Sequence, residues 1–250
     1  MNWIALFIHL AGAANFGYAL YYDLKFVHVP PHLKNKGDFD SMSAFPGKWK
    51  YLTIWNMVLQ FVYHMFALIV NDFAGTSELN PKRQSSLQKF RDYIFASWVF
   101  PAGMFVSLSF WILYGIDRAL VFPKEMDAFF PNWLNHAVHT VPIVILLVES
   151  YFVSKIFPSS FNAILANLFF TTTYISWICW VNHVSGVWAY PILQILNNYQ
   201  RAAFMGGCAV AILACFFTGE FINKWRWGKG AHEVKTAKGG KSTKGKKKVK

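Results

Sequence analysis

The chain has 250 residues, of which 55% are hydrophobic, 19% aromatic and only 14% charged. A soluble domain carries about 25% charged residues, so a soluble globular fold is excluded. The formal net charge of +12 does not describe a nucleic-acid-binding face either, because residues 224–250 hold eleven of the 24 lysines and arginines against the single acid Glu233.

The apolar residues gather into blocks of about twenty, the length that crosses a hydrocarbon core at about 1.5 Å per residue. The expected fold is all-α: a polytopic membrane helix bundle of six transmembrane helices, at about 2–22, 50–71, 94–115, 133–153, 162–182 and 201–222. Residues 1–227 form the six-span domain and 228–250 a basic tail. The first block lacks a basic n-region, so it reads as a retained span although Ala11-Gly12-Ala13-Ala14 has the look of a cleavage site. Gly12 and Gly17 in the first span, and Ala203 and Gly207 in the sixth, are small enough to let helices approach closely.

In the second span Thr53, Asn56, Gln60 and His64 fall within one arc of roughly 80°. A polar stripe in lipid turns inward, toward other helices or water. The 72–93 loop that follows carries Lys82, Arg83, Lys89 and Arg91. The fourth span opens on Pro131-Asn132-Trp133-Leu134-Asn135-His136-Ala137-Val138-His139-Thr140, which sets two imidazoles on one helix face, about 60° apart. The fifth carries Thr172, Ser176, Cys179 and His183 within about 60°. Cys179, Cys208 and Cys215 all lie inside expected spans, so no disulfide framework is suggested.

The tail after Trp227 is Lys, Gly, Ser and Thr with little apolar content, the composition of a disordered segment. It would hold the topology and touch anionic membrane lipids, with Trp225 and Trp227 as an interfacial anchor. Its end, Lys247-Lys248-Val249-Lys250, fits a dilysine retrieval pattern, so the compartments expected are the endoplasmic reticulum and endomembranes, or the plasma membrane. The excess of basic residues in the tail and the 72–93 loop places both termini in the cytosol.

Thr53, His136, His139 and His183 each lie close to a span end, and alternating topology brings those ends to the same, non-cytosolic side. A shared polar cavity is therefore expected there. Three chemistries fit such a cavity. Histidine pairs bind zinc or iron, but a catalytic metal wants three ligands, often with a carboxylate; no acid is expected near this cavity, because Glu149 lies roughly three turns down the helix on another face. Haem between histidines of two spans is a second option. A hydroxyl activated by a histidine base, Thr53 opposite an imidazole, is the third. A transporter or haem carrier would use the same cavity without chemistry.

Three strings, Gly47-Lys48-Trp49-Lys50-Tyr51-Leu52-Thr53, Trp133-Leu134-Asn135-His136-Ala137-Val138-His139-Thr140 and Trp177-Ile178-Cys179-Trp180-Val181-Asn182-His183-Val184-Ser185-Gly186-Val187-Trp188-Ala189-Tyr190-Pro191, together resemble the androgen-induced and androgen-dependent TFPI-regulating protein family. Phe100-Pro101 and the region from Phe110-Trp111 to Pro123-Lys124 are similar as well, so the resemblance covers spans two to six in order. It implies a membrane-embedded carboxylic ester hydrolase, a threonine hydrolase of fatty acid esters of hydroxy fatty acids. Carried over by motif, Thr53 is the nucleophile and His139 the histidine, with His136, Asn182 and His183 as cavity-lining neighbours. Asn56 is expected to support the same cavity, and Asn135, Asn182 or His136 to supply the oxyanion donor. The substrate expected is a lipid ester within the membrane. No cofactor, metal, nucleic acid or protein partner is inferred.

Overall fold

The computed structural model describes residues 2–31 and 46–239, with side chains described as far as residue 228. Every regular element among them is helical. The helices are α1 (Trp3–Phe26), α2 (Leu52–Ala74), α3 (Ser86–Ile94), α4 (Phe100–Asp117), α5 (Asn132–His139), α6 (Val141–Phe152), α7 (Ser160–Ser185), the short α8 (Pro191–Ile195) and α9 (Asn198–Gly239). Among the described residues six stretches are long and apolar enough to cross a membrane: Trp3–Phe26, Leu52–Ala74, Ser86–Leu120, Asn132–Phe152, Ser160–Ser185 and Asn198–Gly228. The chain is a six-span all-α bundle, as its apolar blocks require.

The boundaries and breaks of these spans have local causes. The third span starts eight residues earlier than its apolar content suggests, because Ser85 and Gln88 form a capping box that begins a helix at Ser86. It then loosens into a π turn over Phe95–Val99. Pro101 has no N–H for the Ser97 carbonyl four residues earlier, and that carbonyl instead accepts from Asn167 Nδ2 of α7 at 2.7 Å. The Val99 carbonyl accepts from Gln60 Nε2 of α2 at 3.0 Å. The carbonyl freed by Pro101 is thus satisfied across the bundle, with a second cross-bundle bond beside it. The fourth span is likewise interrupted at Thr140, between α5 and α6, where Pro142 cannot serve the Val138 carbonyl. His139 is the last residue of α5, immediately before that break.

Contacts sort the six spans into two ends. At one, which we call the tail end, Asn71 meets His9, Gln88 meets Ala74 and Asn223 meets Lys155. At the other, the cavity end, Lys48 meets Asp23 and Tyr174 meets Lys50. The outer surface is studded with exposed large apolar side chains such as Phe7, Phe73, Ile116, Phe169 and Phe221, as a lipid-facing surface requires. Lipid is as apolar as these residues, so packing between spans gains mainly from close van der Waals contact. Phe16, Phe95, Phe100, Leu134, Leu146 and Phe216 are fully enclosed. Gly12 and Gly17 of α1 provide such contact: a Cβ at Gly12 would overlap the His64 ring, and one at Gly17 would crowd Phe61. Gly207, expected to act alike, has open space beside it.

The tail end is tied by buried charge. Glu149 and Lys155 are buried, and Lys155 Nζ lies 2.6 Å from Glu149 Oε1. The same oxygen accepts from His9 Nε2 at 3.2 Å and from the Tyr63 hydroxyl. Beside them Arg91 grips Asp92 with Nε at 3.0 Å and Nη2 at 2.7 Å. The second Asp92 oxygen accepts from Gln84 Nε2 and the Ile156 N–H. Glu149 is thus remote from the cavity, as its helical position implies. The last helix continues to Gly239, so residues 228–239 are helical where composition suggests a disordered chain; this segment has no proline to stop a helix already propagating from the sixth span. Residues 240–250, with the expected dilysine pattern, lie outside the described residues.

Candidate active site

Thr53 is the second residue of α2, and His139 is the last of α5. Their contact, Thr53 Oγ1 to His139 Nε2, is 3.3 Å across 86 residues of sequence. On the far side of the ring, His139 Nδ1 lies 2.9 Å from Asn135 Oδ1 and 3.2 Å from the Asn135 carbonyl. A backbone carbonyl can only accept, so Nδ1 carries the hydrogen and the Nε2 lone pair faces Thr53. Phe110 stacks flat on the imidazole, centroids 3.6 Å apart at an interplanar angle of 11°. The ring is therefore fixed in position, rotation and tautomer by two residues, Asn135 and Phe110. Asn135 occupies the orienting place that a carboxylate or amide takes beside a catalytic histidine. Asn135, expected as one possible oxyanion donor, contacts His139 through its oxygen and is not among the residues that line the cavity.

The pair opens on a cavity of about 210 Å³. Its walls are mostly apolar, with Phe105, Phe110, Phe130, Phe170, Phe204 and Ile212 among them; Tyr51, Tyr174, Tyr190, Ser109 and Thr171 add hydroxyls. Asp23 and Lys48 also line it, which corrects the expectation that no acid lies near. Lys48 Nζ is 3.2 Å from Asp23 Oδ2 and 2.6 Å from the Val27 carbonyl, and it also meets the Asp23 carbonyl. The lysine so caps the end of α1 and ties it to the segment that enters α2. Burial lowers the Lys48 ammonium from its ordinary range, and the Asp23 charge opposes that shift.

Other expected site residues lie elsewhere. His136 is exposed, stacked on Trp111 at 5.4 Å, with Nδ1 3.0 Å from Thr140 Oγ1. The 60° that separates it from His139 is enough to carry it over the rim to the outer side. Asn56 is fully buried but does not line the cavity; its Oδ1 accepts from Gln60 Nε2 at 3.3 Å. The stripe Thr53, Asn56, Gln60 and His64 does face inward, yet only Thr53 reaches the cavity. The fifth span reverses its expected orientation: Thr172, Ser176, Cys179 and His183 are exposed, Asn182 is half-buried outside the cavity, and Thr171, Tyr174, Ile175 and Ile178 form the wall. Small hydroxyls can return their hydrogen to the helix's own carbonyls, as Thr173 does to Phe169 and Ser185 to Val181. A stripe of them therefore need not turn inward.

Sequence periodicity misses Asp23, Lys48, Phe110 and Tyr190 as wall residues, since each comes from a different element. Lys48, Phe110 and Tyr190 each had one available signal, a place in the strings that carry the family resemblance, whereas Asp23 stands in none of them. Among the described residues no group of three or more His, Cys, Asp or Glu side chains is arranged to hold a metal ion, and His139 is the one histidine in the cavity wall.

Six apolar spans around an internal cavity define an integral multi-pass helical membrane protein. The FAR-17a/AIG1-like protein family matches residues 4–224, and the chain belongs to that family. It is similar to the human androgen-induced gene 1 protein, 32% identical over 76% of this chain and 82% of that relative. It is also similar to the human androgen-dependent TFPI-regulating protein, 34% identical over 72% of this chain and 78% of the relative. A Schizosaccharomyces pombe membrane protein is 22% identical over 80% of this chain and 85% of its own length. No solved structure matches the chain.

Proposed function

We propose that the chain is a membrane-embedded hydrolase of lipid esters, in which Thr53 is the nucleophile and His139 the base. The observation that carries this reading is the 3.3 Å contact between Thr53 Oγ1 and a His139 Nε2 whose tautomer Asn135 holds, placed at the wall of an apolar cavity. A hydroxyl is a poor nucleophile at neutral pH until a base within hydrogen-bond reach takes its proton. His139 Nε2 accepts the Thr53 proton as Oγ1 attacks the ester carbonyl. The tetrahedral adduct collapses, its alkoxy oxygen leaves with the proton from His139, and an acyl-threonine remains. Water, deprotonated by the same nitrogen, releases the fatty acid and restores Thr53.

The substrate class follows from the walls. Two long acyl chains fit among phenylalanine and isoleucine side chains while the ester meets the polar end, which suits fatty acid esters of hydroxy fatty acids. A haem held between two spans would need two imidazoles facing one cavity, and only His139 does so among the described residues. The compartment that suits the lysine-rich tail is the endoplasmic reticulum or endomembranes, with the plasma membrane as the alternative.

The test is turnover of a branched lipid ester by purified protein in detergent. Thr53→Ala and His139→Ala are expected to lose activity by at least about 10³-fold while keeping the wild-type melting temperature; for comparison, single groups in such relays contribute on the order of 10⁴-fold. Asn135→Leu is expected to lose about 10²-fold in kcat with little change in KM, the mark of a positioning residue. Full activity in Thr53→Ala would sink the assignment.

A further inference from the structure

Resting on the hydrolase reading, we propose that the Tyr190 hydroxyl is the oxyanion donor for Thr53. Attack on an ester moves the carbonyl π pair onto oxygen, and a prepositioned donor aimed at that oxygen typically contributes 10²–10³ in kcat. Asn135 does not line the cavity, and its Oδ1 accepts from His139. His136 and Asn182 do not line the cavity. Tyr190 does line it, and its oxygen accepts from the backbone N–H of Leu52, the residue before Thr53, at 2.9 Å. The phenol is therefore held one peptide away from the nucleophile.

Counting hydrogens shows that this phenol has one to give. The oxygens of Tyr174 and Tyr190 are 3.2 Å apart. Tyr174 has a single hydrogen, and the Lys50 carbonyl, 2.9 Å away, can only accept it. The hydrogen between the two phenols thus belongs to Tyr190, and at 3.2 Å it sits in a long contact for an O–H···O bond. Turning it to a developing oxyanion exchanges a weak neutral bond for a charge-assisted one. Leu52 N–H, at the positive end of α2, polarises the same hydroxyl in the donor sense. Burial raises the Tyr190 phenol above its ordinary value, so it keeps its hydrogen at neutral pH. In the step itself, the Thr53 Oγ1–carbon bond forms, the proton passes to His139 Nε2 and the oxyanion accepts from Tyr190. On collapse the carbonyl reforms, the alkoxy bond breaks and the Tyr190 hydrogen returns to Tyr174.

The experiment compares Tyr190→Phe and Tyr174→Phe in the full chain, reading kcat, KM and the affinity of a long-chain trifluoromethyl ketone, which forms an oxyanion on the nucleophile. Tyr190→Phe is expected to lower kcat about 10²-fold, leave KM within threefold and weaken the ketone by the same factor as kcat. Tyr174→Phe breaks the same hydrogen-bond chain one link further on but removes no donor to the oxyanion, so it is expected to lose less than Tyr190→Phe in both kcat and ketone affinity. Equal losses in both variants, tracking a shared drop in melting temperature, would overturn the donor role in favour of a purely structural chain. If Tyr190→Phe does not fold, 3-fluorotyrosine at position 190 keeps the chain and is expected to alter ketone affinity; no change overturns the proposal. A wild type that turns over no lipid ester, and whose Thr53 resists a fluorophosphonate, refutes the hydrolase reading itself. An active wild type with an equally active Tyr190→Phe refutes Tyr190 alone.

Discussion

At the tail end of the bundle one carboxylate oxygen, Glu149 Oε1, is met by His9, Tyr63 and Lys155, and both Asp92 oxygens are bonded by neighbours from three segments. At the cavity end Thr53 is bonded to His139, His139 to Thr53 and Asn135, and Tyr190 to Leu52 and Tyr174, and all three line a mostly apolar space. Both ends bury polar groups at membrane depth, where isolated charges are costly. Cross-paired charge acts as a clamp between spans. Neutral groups that are oriented but incompletely engaged are what a reaction can use.

The strongest way to break this comparison is to open the clamp. Glu149→Ala leaves the buried Lys155 ammonium without its counter-charge, and removing one member of a buried pair costs about 3–5 kcal/mol. A large fall in melting temperature in detergent is expected, and Glu149→Leu combined with Lys155→Met is expected to recover most of it. An unchanged melting temperature in Glu149→Ala would show that the cluster carries no clamp.

A smaller effect is expected where the helices touch. A Cβ at Gly12 would overlap the His64 ring, and one at Gly103 would overlap Gln60 and Leu146. Gly12→Ala is expected to cost about 1–3 kcal/mol, the range for overpacked sites, while Gly207→Ala, beside open space, is expected to cost nothing measurable. Equal melting temperatures for the two variants would contradict the close approach of α1 to α2.

The smallest effect sharpens the contrast between two buried lysines. Lys155 has Glu149, whereas Lys50 is fully buried, and its Nζ has no hydrogen-bond partner. Burial lowers the Lys50 ammonium from 10.5 to about 8. Between about pH 8 and 10.5 the unfolded chain then binds more protons than the folded one, so wild-type stability rises with pH across that window. Lys50→Met is expected to melt higher than wild type below about pH 8, with the gap closing as the pH approaches 10. A gap that stays constant from pH 7.5 to 10 would contradict the shift.

The six spans were legible in the apolar blocks because lipid demands about twenty apolar residues and satisfied backbone bonds for each crossing. Thr53 and His139 were legible through their strings and shared membrane level. The fifth-span stripe misled because threonine, serine and cysteine can face lipid cheaply once their hydrogen goes to their own helix. His136 misled because a 60° arc is wider than the part of α5 that faces the cavity.

Length, composition and periodicity by themselves determined a six-span helical membrane protein with an inward polar stripe on its second span. Tertiary structure alone decided that Asn135 orients His139, that Asp23 and Lys48 join the wall, that Tyr190 reaches the start of α2 and that Glu149 meets His9, Tyr63 and Lys155. Each of those relations joins residues through the geometry of a side-chain hydrogen bond or a packed wall. Such bonds act over about 3 Å, whereas helical periodicity specifies a direction around one axis and says nothing of which neighbour lies there.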